Sequence, residues 1–453
     1  MSLLTLGILN RLMIDELKVL PLIAAGAIAM HQFVSPARVW FGQMSDAKPL
    51  FGQNRTGYVW VGAALFTSIA FIALQVIWQL GGSLQATGWS LQTYGWAAIL
   101  SLVFALYGLA LSASSTPFAA LLVDISDEDN RSQLIGVVWS MLMVGIVMGA
   151  IVGSRLLQSP EICGANILTY DPAAAGPIAD IAKLKATLNP VFIGLPVVVF
   201  GLCILATVGI EKKFSRYGSR SAVANREDQI TLGRALRVLT ASPQTGIFFA
   251  FLLVLTISLF MQDAVMEPYG GEVFNMCISE TTQLNAPFGM GTLLGISGTG
   301  FYILPRLSKH RTVKLGCIGA AIALVLIMLS GFSQSAGLLK GALFVFGLAS
   351  GILTAGATSL MLDLTAAETA GTFIGAWGLA QAMARGLSTV LAGSLLNLGK
   401  VFFGSPMLAY GLVFGIETIG MLTAIVLLQR VNVQEFRDNA KQAIATVLEG
   451  NLD

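Results

Sequence analysis

The chain has 453 residues, 55% of them hydrophobic and 11% charged, with a net charge of +2, two histidines and four cysteines. Ordinary soluble domains carry roughly a quarter charged residues, so this composition and a mean hydropathy of +0.78 exclude a soluble fold. The near-neutral balance gives no support for nucleic acid or other polyanions as partners.

A membrane-spanning helix needs about 20 apolar residues. Such stretches fall near 19–42, 57–80, 94–114, 132–156, 189–210, 244–265, 286–305, 312–332, 340–362, 371–396 and 405–429. Residues 1–14 read as a twelfth span cut short, since at 1.5 Å per residue they reach about 21 Å of a hydrocarbon core about 30 Å thick. The first helix is therefore expected to be incomplete or to begin upstream. A signal peptide is a poor reading of this segment, because Arg11 follows the apolar run and no small-residue cleavage site comes after it.

Basic side chains set the orientation. Lys48 and Arg55, then Arg131, then Lys212, Lys213, Arg216, Arg220, Arg226, Arg234 and Arg237, and later Arg306, Lys309, Arg311 and Lys314 crowd alternate loops. Those loops are placed inside, and both termini are expected to be cytoplasmic. The opposite loops include the longest, 157–188, where Cys163 leaves a disulfide to Cys277 topologically open. No CxxC, HExxH or Walker A pattern appears.

The segment Leu122-Val-Asp124-Ile-Ser126 through Asp129 and Ile135-Gly136 recurs as Met361-Leu-Asp363-Leu-Thr365 through Glu368 and Ile374-Gly375. Each copy joins two apolar runs, which points to a duplicated membrane unit of the kind that builds secondary transporters. The expected fold is an all-α bundle of twelve transmembrane helices in two pseudo-symmetric halves, 1–210 and 244–430. A cytoplasmic linker, 211–243, joins them, and 431–453 forms a cytoplasmic tail. The acidic run Asp124–Asp129 has two readings. Magnesium-diphosphate chemistry, as in a membrane prenyltransferase, would need hard oxygen ligands; a capping box at a helix start needs only Ser126 with Asp129 and Thr365 with Glu368. The second copy lacks Asp127 and Glu128 but keeps the cap, which favours structure.

The run Ala119 through Arg131 with Gly136 resembles the helix 4 to 5 loop of the major facilitator superfamily, and Gly42-Gln-Met-Ser45-Asp46 followed by Arg55 resembles its helix 2 to 3 motif. The insert Lys48–Asn54 displaces the usual second basic cluster, and Pro305-Arg306-Leu-Ser308-Lys309 has no aspartate. The resemblance implies that Asp46 faces the start of helix 11 near Gly371. The matched positions of Asp124 and Asp363 ahead of capped helix starts give them equivalent parts at an interdomain gate, with Asp46, Arg55 and Arg131 as its other expected members. Leu9-Asn10-Arg11, Ser35-Pro36-Ala-Arg38-Val-Trp40 and Arg55-Thr56-Gly57-Tyr58 further resemble the PucC family, the bacteriochlorophyll/chlorophyll-associated branch, in a cyanobacterial form. That resemblance extends over nearly the whole chain. It implies assistance in assembling light-harvesting antennas, proposed delivery of chlorophyll, and a thylakoid location, with the plasma membrane as the alternative.

Charges within spans point to a site, because each costs several kcal/mol unless buried or wetted. Arg385 with Gln381 one turn before it is assigned to the cavity. Arg38 and Arg11, near span ends, read equally as cavity residues or as snorkelling side chains. Glu417 reads as a buried pair or a protein contact, and Asp263 and Glu267, at an outside helix end, as solvated acids rather than proton carriers. His31 falls about 16 Å from the cytoplasmic end of its span. A neutral imidazole there would suit the open axial position of a chlorophyll magnesium, against the plainer reading of a hydrogen bond to a neighbouring helix. Gly145/Gly149/Gly153, Gly347/Gly351 and Gly371/Gly375 have the spacing of close helix packing.

These readings predict a non-enzymatic membrane factor for assembly of photosynthetic pigment–protein complexes, with chlorophyll or a precursor as ligand. Its partners would be chlorophyll-binding light-harvesting or photosystem proteins, pigment and membrane lipids. A proton-coupled transporter of a small metabolite is the runner-up, and a prenyltransferase the third reading.

Overall fold

The structure is a computed structural model that describes residues 3–126, 131–158, 168–171, 176–215, 243–364 and 370–431. It is a helical membrane bundle. Seven of its helices are long and apolar enough to cross a bilayer among the described residues.

Helix α1 joins a π-helical segment Leu3–Ile8, one α turn Leu9–Arg11 and a second π segment Leu12–Glu16. It is followed by α2 (Pro21–Phe33), α3 (Ala37–Ala47), α4 (Thr56–Thr87), α5 (Leu91–Asp124) and α6 (Arg131–Leu156). An antiparallel ribbon, β1 (Leu168–Asp171) with β2 (Gly176–Ala179), precedes α7 (Ile181–Thr207) and the short α8 (Ile210–Phe214). The expected continuous span 19–42 is interrupted. Pro36 cannot donate an amide to a continuing helix, and Ser35 turns its hydroxyl back onto the Gln32 carbonyl.

Helix α9 (Pro243–Phe260) passes through a 3₁₀ turn, Met261–Ala264, into α10 (Met266–Phe274), which ends at Asn275 in left-handed backbone with φ 54°. Then come α11 (Ile278–Gln283), α12 (Asn285–Gly298) with a π extension Thr299–Ile303, α13 (Lys309–Ser333), α14 (Ala336–Leu364), α15 (Ala370–Phe402) and α16 (Pro406–Gln429).

Two compact units share the chain. One comprises Met1–Asn225, Asp263–Ala286 and Thr389–Tyr410; the other comprises Arg226–Gln262, Pro287–Ser388 and Gly411–Asp453. The first unit's core surrounds α1: Ile8, Leu9, Leu12 and Met13 are fully buried against Ile77, Trp78, Leu100, Phe104 and Phe192. The second unit is keyed by glycines. A Cβ on Gly347 would lie 2.2 Å from the Phe288 carbonyl oxygen, and one on Gly291 would lie 2.2 Å from that of Phe344. These contacts, repeated at Gly295 and Gly351, bring the α12 and α14 backbones together. Among the described residues, nothing lies within 4 Å of an added Cβ at Gly145 or Gly149. Spacing alone does not say which face of a helix is packed. Gly371 and Gly375 lie outside the described side chains.

Candidate functional site

The helix 2 to 3 and helix 4 to 5 motif residues build a site within the first unit. The Lys48–Asn54 insert closes into a tight turn, with Leu50 and Gln53 exchanging backbone hydrogen bonds of 2.8 and 3.1 Å. Phe51 and Gly52 both take positive φ, 55° and 73°, the signature of a type I′ turn. The turn lies on Gly57, where a Cβ would sit 2.3 Å from the Leu50 carbonyl oxygen. It thereby delivers Arg55 to the N-terminus of α4 with its side chain almost fully buried.

There Arg55 Nε donates to Asp124 Oδ2 at 2.9 Å, Nη2 pairs with Asp46 Oδ1 at 2.5 Å, and Nη1 donates to Ser45 Oγ at 2.6 Å. Burial opposes the guanidinium charge, but the hydrogen bond to Asp124 and the field of both aspartates outweigh it and raise the Arg55 pKa. The Glu211 carboxylate completes the site. It accepts from the backbone amides of Asn54 (2.7 Å), Arg55 (3.1 Å) and Thr56 (2.6 Å), the free donors at the α4 start. The structure thus joins Asp46, Arg55 and Asp124. Ser45 and Glu211 were not anticipated, and Glu211 carried only the faint signal of a lone acid ahead of a basic linker. The Arg131 and Asp363 side chains, Thr365, Glu368 and the Asp127–Asp129 acids lie outside the described residues. Ser126 Oγ donates back to the Val123 carbonyl at 3.3 Å.

His31, in the last turn of α2, is 8% exposed. Its Nδ1 bonds the Ile28 carbonyl. A carbonyl only accepts, so Nδ1 carries the hydrogen, and in the neutral ring Nε2 holds the lone pair a metal would take. The ring meets Tyr107 edge to face, centroids 6.1 Å apart, while Gly108 admits the α5 backbone against the His31 main chain. The donor chemistry fits a magnesium ligand; the ring is mostly covered, so a macrocycle would need it uncovered.

Arg385 is exposed on α15. Among the described side chains of the same helix, the exposed large apolar residues Met383, Leu387, Leu391, Leu398, Val401 and Phe402 fall within a stripe about 100° wide, and at about 100° per residue Arg385 lies on the other side of the helix. Its guanidinium stacks 3.9 Å from the Phe260 ring centroid, and Gln381 shares its face. A cation so placed suits an anionic or π-rich ligand. Arg38, half-buried in α3, has its Nε buried without a hydrogen-bond partner among the described residues.

Two sequence readings are corrected at the other charged positions. Arg11 does not snorkel: at 2% exposure it is held by Asp15 and Glu16, each at 3.3 Å, by Thr281 Oγ1 at 2.5 Å and by the Met276 carbonyl at 2.6 Å. Glu267 is not solvated but 4% exposed, because α1 packs over it. Glu417, fully buried, accepts the Gln262 amide at 3.2 Å, so its contact lies within the protein. Cys277 is disulfide-bonded, Cys203 and Cys317 are free, and Cys163 lies outside the described residues. No group of three His, Cys, Asp or Glu side chains suited to a metal ion occurs among the described residues.

The family model described as PUCC protein matches residues 8–436. The chain is 29% identical over 428 residues to the "Bacteriochlorophyll synthase 44.5 kDa chain" of Rhodobacter capsulatus, covering 93% of this chain and 89% of that one. It is 27% identical over 435 residues to "Protein PucC" of Cereibacter sphaeroides, covering 94% and 87%. Among solved structures it resembles the nucleoside transporter NupG (TM-score 0.62, 13% identity, 95% and 96% covered) and a bacterial homologue of the iron transporter ferroportin facing inward (0.60, 12%, 95% and 96%). The fold is that of the major facilitator superfamily.

Proposed function

The chain belongs to the PUCC protein family, and from that premise we propose that it is a non-enzymatic membrane factor for the assembly of light-harvesting or photosystem pigment–protein complexes. The match over residues 8–436 carries this reading. The word synthase in one relative's name is read as association with bacteriochlorophyll rather than catalysis by this chain. Its ligand is chlorophyll or a precursor, handled as cargo. His31, with Nδ1 bound to a carbonyl, is the candidate axial ligand, and Arg385, Gln381 and Arg38 are the candidate polar contacts of the cavity. The Arg55 cluster, with Arg131 and Asp363, forms the gate. Both termini and the linker 211–243 are cytoplasmic, and the membrane is the thylakoid, with the plasma membrane as the alternative. The halves are 1–210 and 244–430, followed by the tail 431–453.

The test is genetic and spectroscopic. Deleting the gene should lower one chlorophyll–protein complex on native gels while free pigment synthesis continues, and gently purified protein should carry pigment absorption. Unchanged complexes together with a displaced soluble metabolite would instead establish the second reading, a proton-coupled transporter of a small metabolite. That reading draws on the likeness to transporters and on the buried carboxyl of Glu267.

A further inference from the structure

Where α1 packs on α10, buried and half-buried acids outnumber the one buried cation among the described residues. Arg11 Nη2 is shared between Asp15 and Glu16 on its own helix, its other Nη hydrogen bonds go to Thr281 and the Met276 carbonyl, and its buried Nε has no hydrogen-bond partner among the described residues. Glu267, 4% exposed, receives only a neutral donor: Asn285 Nδ2, at 2.8 Å from Oε1. Its Oε2 is buried with no hydrogen-bond partner among the described residues, and so is Asn10 Oδ1.

These two atoms are both acceptors, and they lie along one seam. Asn10 Nδ2 donates to the Ala264 carbonyl at 2.5 Å. One turn earlier on α1, Gly7 has no side chain, and a Cβ there would sit 2.0 Å from Glu267 Oε1. Ala264 and Glu267 are likewise one turn apart. Two orphaned buried acceptors on facing turns cost free energy, and a single hydrogen on the carboxyl removes the conflict. The glycine at position 7 is what lets the carboxyl fit beneath α1 at all.

We propose that Glu267 is a proton-binding site whose neutral carboxyl, donating toward Asn10, docks α1 on α10, and whose ionisation loosens that docking. The other charged groups around the seam do not replace the proton. Asp15 and Glu16 on α1 are like charges. Glu272 on α10 is occupied by Lys400 of α15 at 2.7 Å and by the Tyr410 hydroxyl of α16 at 2.9 Å. Asp263 before α10 and Glu280 on α11 are further acids. Burial pushes the Glu267 pKa up to about 7, against the smaller lowering effects of Asn285 and Arg11, so the switch would work near neutrality.

The test is hydrogen exchange of residues 3–16 in the full-length protein in nanodiscs, corrected for the intrinsic pH dependence of exchange. Values on both sides of about pH 7 are compared. Protection should fall as pH rises, with a midpoint near 7. Glu267→Gln, which keeps the shape and stays neutral, should hold α1 protected throughout and abolish the midpoint. The infrared carbonyl band of a protonated carboxyl should titrate over the same range in the wild type and be missing from the variant. Asn10→Leu, which removes the acceptor, should shift the band's midpoint downward. Wild-type protection that ignores pH, or a Gln variant with the wild-type midpoint, overturns the proposal. If Glu267→Gln does not fold, the wild-type spectrum and Asn10→Leu still decide it: no titrating band, or a midpoint that Asn10→Leu leaves in place, overturns it.

Discussion

Arg55 and Asp124 meet at 2.9 Å with side chains only 6% and 9% exposed, one from the start of α4 and the other from the end of α5. Breaking a buried pair by removing one partner typically costs about 3–5 kcal/mol, because the other charge is left behind. Arg55→Met and Asp124→Leu should therefore each lower the apparent melting temperature sharply in detergent, and the double substitution should lose much less than the two losses combined. Additive losses, within about 0.5 kcal/mol, would mean that the pair is not coupled.

The glycine seam makes a second expectation. A Cβ on Gly347 meets backbone, not a flexible side chain, so α12 and α14 would have to separate. Gly347→Ala should destabilise the protein strongly and Gly347→Leu should abolish monodisperse purification. Gly145→Ala, with nothing among the described residues within 4 Å of the added Cβ, should be neutral or stabilising by up to about 1 kcal/mol from helix propensity. Equal effects at the two positions would contradict the packing described.

Part of this arrangement was legible in the sequence. Apolar runs located the spans because backbone groups in hydrocarbon leave only helices available. The helix 2 to 3 and helix 4 to 5 motifs grouped Asp46, Arg55 and Asp124, which the structure joins. Glu211 was not legible: its carboxylate reaches amides at positions 54 to 56, and nothing local to a Glu-Lys-Lys sequence signals so distant a partner. Glu267 was read as solvated because it follows an apolar run at a helix end. Its burial depends on α1, where Gly7 provides the space and the Arg11 Nη groups bond to Asp15, Glu16, Thr281 and Met276. Glycine periodicity showed where close packing is sterically allowed but not where a partner helix lies, hence the difference between Gly145 and Gly347.

Linkage gives a pH expectation for the whole molecule. A buried carboxyl with its pKa raised to about 7 from 4.5 binds its proton more tightly in the folded state. Its contribution to stability is full below about pH 4.5 and is lost as pH rises through about 7. The shift corresponds to about 3 kcal/mol. The wild type should melt at a lower temperature at pH 8 than at pH 6, and Glu267→Gln should narrow that difference. Other groups move the absolute curve, so the comparison between the two proteins is what decides; identical slopes would assign the dependence elsewhere.

His31 carries the most specific expectation of the pigment reading. Its Nδ1 is committed to the Ile28 carbonyl, so a magnesium would be taken at Nε2. His31→Leu should insert and fold yet lose bound pigment or shift its absorption band, whereas His31→Gln, whose amide oxygen can ligate magnesium, should retain part of it. Gln32 cannot substitute, because adjacent residues on a helix point about 100° apart. Absorption spectra of the three proteins, purified in parallel, make the comparison. Unaltered pigment binding in His31→Leu would remove the axial role and move the search to the face of α15 that holds Gln381 and Arg385 over Phe260.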